Sequence, residues 1–173
     1  MSVKVTGDHR ICFIGDSLVF GTGDSECLGW GGRMAVKAQN VGWNVIHYNF
    51  GIRGDTSRDI PARWNDEAER RFPADTEHFV VFSFGVNDTM MEGGFRRVSL
   101  RESRESFQRI LGQSQAQYPT LMIGPPPVCE PAHNSRIQEL SQSLDALAQK
   151  TGCCLFKGVR NASARCHLDE RGE

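Results

Sequence analysis

The sequence predicts an α/β protein built on a parallel sheet of about five strands, with helices covering both faces. Three observations carry that expectation. Five short runs, at residues 10–14, 44–50, 79–84, 120–123 and 153–159, are rich in Val, Ile, Phe and Cys, as strands buried on both faces are. Between them, apolar residues recur at helical spacing instead of alternating. The strand–helix order then repeats along the chain, which implies right-handed crossovers and a sheet sandwiched between helices.

Each element has its own signal. The first run passes directly into Gly15-Asp16-Ser17-Leu18. Trp30, Met34, Ala38 and Val41 mark one helical face that ends at Gly42, a natural C-cap. After the second run, Thr56 and Ser57 precede a helix carrying Ile60, Trp64 and Ala68, with Pro61 tolerated in its first turn. The third run gives way to Gly85-Val86-Asn87-Asp88. Ser99-x-x-Glu102 is a capping box opening a helix striped by Leu100, Phe107, Ile110, Leu111 and Tyr118. Ser135-x-x-Gln138 opens another, with Ile137, Leu140, Leu144, Leu147 and Ala148 on one face. No repeat, low-complexity tract or linker divides the chain. Residues 1–173 therefore read as a single domain, long enough to bury about two-thirds of its unfolded surface.

Composition narrows the function classes. At 39% apolar and 24% charged residues the chain has an ordinary soluble make-up, and a net charge of −1 gives no reason to expect nucleic acid or an anionic membrane as partner. No apolar stretch approaches the roughly 20 residues of a membrane span. Residues 1–10 lack the apolar core of a signal peptide, so a cytoplasmic location is expected. The six cysteines read as reduced thiols, mostly core filler. Cys12 lies in the first run, Cys153 and Cys154 are adjacent in the last, and no C-x-x-C pair supports zinc or dithiol chemistry.

In sheets of this kind ligands bind beyond the carboxyl ends of the strands, near the point where strand order reverses. Three distinctive segments fall there. Ser17 reads either as a helix cap or as a nucleophile, which would need a base and donors for the oxyanion it creates. Gly54 reads as a loop position needing positive φ, or as a residue whose missing Cβ lets a backbone N–H approach a substrate oxygen. Asn87 is a turn residue or a carboxamide donor. Together on one edge, a serine, a backbone N–H and a carboxamide are equipment for attacking an acyl carbonyl. The G-x-S-x-G elbow is absent, with Val19 in its last position, so the ordinary α/β-hydrolase fold is not indicated. Neither G-x-G-x-x-G nor a P-loop supports phosphate or flavin binding at residues 15–23.

Gly15-Asp16-Ser17-Leu18, residues 49–56 and Gly85-Val86-Asn87-Asp88 resemble, in order and spacing, the first three sequence blocks of the GDSL (SGNH) hydrolase family. The similarity runs from Arg10 to Val159. It implies a flavodoxin-like three-layer α/β/α sandwich that hydrolyses esters or thioesters of small acyl substrates with neither cofactor nor metal. It also implies Ser17 as nucleophile, with its own N–H, the Gly54 N–H and the Asn87 side chain as oxyanion donors. Asp16, beside the nucleophile, and His133, in the loop leaving the fourth strand, are candidate substrate-binding residues. Read from the residues alone, Asp16 orients its loop by hydrogen bonds, while His133 is a solvent-exposed helix-start residue or a stand-in base.

The chain departs from the family at its fourth block. An Asp-x-x-His segment, in which His is the base and Asp orients it, occurs nowhere in this sequence. The one C-terminal histidine, His167, precedes its nearest aspartate, Asp169, in reversed order. His167 is the provisional base. Residues 160–173 are polar and weakly amphipathic, as a truncated, replaced or frameshifted end would be. A poorly covered sheet face would invite self-association, so a homo-oligomer is a possible state. The alternative is a family member that keeps the oxyanion hole, lacks a base and only binds a small ligand. His9, His47 and His78 are expected to lie away from the site.

Overall fold

A computed structural model of the protein describes residues 7–156. His167 and the last part of the fifth predicted strand lie outside the described residues. The strands are β1 (His9–Gly15), β2 (Val45–Gly51), β3 (Glu77–Ser83), a hairpin of β4 (Met91–Glu92) and β5 (Phe95–Arg96), then β6 (Thr120–Ile123) and β7 (Cys154–Phe156). Five of them form one parallel sheet in the order β2-β1-β3-β6-β7. This is the doubly wound flavodoxin-type order, and strand order reverses between β1 and β3.

The helices are α1 (Ser17–Phe20), α2 (Gly29–Asn40), α3 (Trp64–Glu69), α4 (Leu100–Gln115) and α5 (Pro131–Thr151). Successive strand residues point to opposite faces, so β1 sends Cys12 and Ile14 one way and Phe13 the other. The first face packs on α3, α4 and α5 through Trp64, Ala68, Phe107, Ile110, Leu111, Leu140 and Leu144. The second packs Phe13 and Val81 against Val19 of α1 and Trp30 of α2. Helix–sheet–helix layering is thus the predicted sandwich.

Several local expectations hold and three change. Ser99 caps α4 in a complete capping box with Glu102, as read from the sequence. On α2 the apolar stripe is only in part the buried face: Trp30 packs on the sheet, but Met34 and, just past the helix, Val41 are exposed, while Gly31, Gly32 and Ala35 are buried. Small residues win because they let the helix lie close to the sheet; even a Cβ at Gly31 would come within 3.2 Å of the Phe13 ring. The helix expected after Ser57 is broken into a one-turn 3-10 helix (Ile60–Ala62) and α3, because Arg63 leaves the helical region at φ −132°, ψ −31°. Finally, α5 starts at Pro131 and not Ser135, since proline's fixed φ suits the first helical turn.

Candidate active site

Gly15 lies beside both Gly51 and Ser83 in the sheet register. The segments leaving β1, β2 and β3 therefore emerge together at the carboxyl edge, where strand order turns. Ser17 is the first residue of α1 and is half-buried. The buried Asp16 is its N-cap, with Oδ1 accepting the Leu18 N–H at 2.9 Å. The Ser17 N–H, at the start of the helix, has no acceptor within it. Asn49 holds the far end of this turn: its Nδ2 donates to the Val19 carbonyl at 2.9 Å and its Oδ1 accepts the Gly51 N–H at 3.0 Å.

The second and third segments are bonded to one another. Gly54 is exposed at φ +85°, a conformation that favours glycine. Asn87 opens a one-turn 3-10 helix (Asn87–Thr89), and its Nδ2 donates to the Asp55 carbonyl at 2.8 Å. A carboxamide has two N–H groups, and this bond uses one of them. Arg97, just past β5, donates to the Gly54 carbonyl at 3.1 Å. Asp88 accepts the Ser57 N–H at 2.8 Å and the Ser103 hydroxyl at 2.6 Å, tying both segments to α4.

Three carboxylates, those of Asp16, Asp55 and Asp88, converge here. Burial pushes the Asp16 carboxyl up to about 6, and the negative charges of Asp88 and Asp55 push the same way against the Leu18 N–H. Asp16 Oδ2 is buried without a hydrogen-bond partner. Among the described residues no group of three or more His, Cys, Asp or Glu is placed to hold a metal ion, and no helix is long and apolar enough to cross a membrane.

His133 corrects the expectation of an exposed residue. Because α5 begins early, the ring is buried at 7% exposure, with Nε2 lying 2.8 Å from Thr89 Oγ1 and 3.1 Å from the Val86 carbonyl oxygen. A carbonyl only accepts, so this arrangement calls for a proton on Nε2 and leaves that atom no lone pair to act as a base. The ring supports the turn carrying Asn87. His9 opens β1 and His78 is near the start of β3, both at the amino edge of the sheet. His47 lies inside β2, where burial lowers its pKa. Cys12, Cys27, Cys153 and Cys154 are free, but Cys129, exposed in the loop after β6, is disulfide-bonded. That corrects the expectation of six reduced thiols.

Sequence reasoning missed the residues that hold the segments together. Arg63 and Arg97 carry no local motif. The one signal for Arg63 was an arginine lodged between the buried residues Ile60 and Trp64.

Comparisons with known proteins agree with this fold. A catalytic variant of Axe2, an acetylxylan esterase from Geobacillus stearothermophilus, superposes with a TM-score of 0.66 at 18% identity, covering 90% of this chain and 77% of that one. The acetyl xylan esterase AlAXEase gives 0.72 at 21% identity, over 86% and 77%. A variant of the esterase AlinE4 gives 0.70 at 23% identity, over 96% and 85%. At such identities the likeness shows a shared fold. No curated protein matches the sequence. The model of the GDSL-like lipase/acylhydrolase family matches residues 13–169, and this chain belongs to that family of carboxylic ester hydrolases.

Proposed function

We propose that this protein cleaves esters, or thioesters, of small acyl groups through an acyl-enzyme on Ser17. The observation that carries the reading is the Asn87 carboxamide, fixed to the Asp55 carbonyl at 2.8 Å beside Gly54, on the same sheet edge as Ser17. In this mechanism Ser17 Oγ attacks the ester carbonyl while a histidine takes its proton. The Ser17 and Gly54 N–H groups and the second N–H of Asn87 hold the oxyanion. Collapse of that intermediate expels the alcohol or thiol, which receives the proton from the histidine. Water, deprotonated by the same histidine, then hydrolyses the acyl-serine. His167 is the proposed base, since Nε2 of His133 is committed to the Asn87 turn. Acetyl xylan esterases among the structural neighbours support acetyl esters as the first substrates to try.

The missing Asp-x-x-His segment favours one second reading, a member that binds ester-like ligands without turnover. Hydrolysis of p-nitrophenyl acetate from pH 5 to 9, by the parent and Ser17→Ala side by side, separates the two. The proposal expects a serine-dependent rate that rises through a pKa near about 6.5. Equal rates from parent and variant would overturn the mechanism. Removing a triad member leaves about 10³–10⁴-fold acceleration over water, so a weak rate must be shown to depend on both Ser17 and pH.

A further inference from the structure

We propose that Arg63 is the positioning residue of this site, fixing the three oxyanion donors relative to one another; the inference rests on the acyl-transfer reading of Ser17, Gly54 and Asn87. Its guanidinium is 15% exposed and lies behind the carboxyl edge of the sheet. One Nη donates at 3.0 Å to the Gly15 carbonyl, which leads directly into Asp16 and Ser17. The other donates at 3.0 Å to the Phe50 carbonyl near the end of β2, and Nε donates at 2.8 Å to the Asp55 carboxylate. Asp55 in turn presents the carbonyl that accepts Asn87. One side chain thus touches the nucleophile turn and the glycine loop directly, and reaches the carboxamide through one intervening residue. The outer face of the guanidinium is closed by Glu67 at 2.9 Å.

Arginine suits this place for a chemical reason. Its donors form a rigid planar fork, so three acceptors on three segments are held at fixed relative directions. Lysine keeps the charge but is a point donor on a flexible stem, and cannot impose that geometry. Oxyanion stabilisation depends on donors already in place when charge develops. The break between the 3-10 turn and α3 falls at Arg63 itself, where the backbone departs from helical geometry as the side chain turns back to the sheet edge.

The experiment compares Arg63→Lys, Glu67→Gln and Ser17→Ala with the parent on p-nitrophenyl acetate, and measures inhibition by an alkylboronic acid. A boronate forms a tetrahedral adduct on serine and reports the oxyanion hole separately from folding. With folded protein verified by thermal unfolding, Arg63→Lys is expected to lose about 10²-fold in kcat, with KM within about threefold and boronate affinity falling in step with kcat. Glu67→Gln, which removes only the outer ion pair, stays within about twofold of the parent. Parental kcat in Arg63→Lys, or a kcat loss matched by the unfolded fraction with boronate affinity intact, overturns the inference. If Arg63→Lys does not fold, Asp55→Ala decides. It leaves Arg63 on the strand carbonyls and cuts its link to the loop, so kcat and boronate affinity fall together if the inference holds and stay parental if it fails. Activity surviving in Ser17→Ala defeats the underlying acyl-enzyme reading instead, whatever Arg63 does.

Discussion

Asp16 holds a buried carboxylate one residue before the proposed nucleophile, with Oδ1 on the Leu18 N–H and Oδ2 without a partner. Its pKa rises from 3.8 to about 6, first through burial and then through Asp88 and Asp55. The consequence for stability has a definite sign. Between about pH 4 and pH 6 the unfolded chain has lost this proton while the folded one keeps it, so folding takes up a proton and stability falls as pH rises. The cost is complete above the folded pKa. Asp16→Asn keeps a capping oxygen and deletes the charge. Relative to the parent, its stability should therefore shift in its favour by about 2 kcal/mol between pH 4 and pH 8. Urea unfolding at pH 4, 6 and 8 measures the shift, and a difference independent of pH would refute the assignment. The variant also clears the pH–rate profile, because Asp16 titrates where a histidine base would. An acid beside Ser17 was visible in the sequence. Its crowding was not, since Asp55 and Asp88 arrive from other strands only once the sheet has formed.

The strand-to-helix turns were legible as elements wherever the signal was local. Ser99 and Glu102 fixed the start of α4, and an apolar run bounded β6 at both ends. Where tertiary packing decided, sequence patterning failed: α2 buries its glycines, α3 breaks at Arg63, and the hairpin of β4 and β5 had no apolar pattern to announce it. Two glycines in the turn leaving β2 show the distinction in testable form. A Cβ at Gly51 would stand 2.1 Å from the Phe20 nitrogen and 2.6 Å from the Asp16 carbonyl oxygen, both backbone atoms of the nucleophile turn. At Gly54 nothing lies within 4 Å, and the obstacle to a side chain is φ +85°. Gly51→Ala must push α1 off β2, so it should cost about 3 kcal/mol and also lower kcat by moving Ser17. Gly54→Ala should cost about 1 kcal/mol, the strain of a left-handed residue. Denaturation midpoints and kcat for the two variants check this, and equal stability losses would contradict the close approach of α1 to β2.

Across the whole molecule, the order of strands and helices was readable because strand–helix alternation leaves few topologies open. The unequal weight of the two clusters that the described residues form was not. Among the described residues the face toward α3, α4 and α5 carries a continuous core that includes Trp64, Phe82, Phe107, Ile110 and Leu144, all buried. The opposite face has Phe13, Val19 and Val81, with Ile11, Leu121 and Ile123 only partly buried. Val80 and Val81 are neighbours on β3 that point to opposite layers, so truncating each to alanine probes one layer on the same strand. The cost of removing core methyl groups grows with the cavity left behind, and a site that can collapse loses less. Val80 is fully buried at 0% exposure in the larger cluster of the described residues; Val81, at 6%, faces the smaller one. Val80→Ala should therefore cost about 2 kcal/mol and Val81→Ala about 1 kcal/mol, read as urea midpoints at unchanged m-value. A reversed order would mean that the α1 and α2 layer is packed as tightly as its counterpart. It would also place the scaffold beneath Ser17 among the most rigid parts of the fold, instead of on its more yielding side.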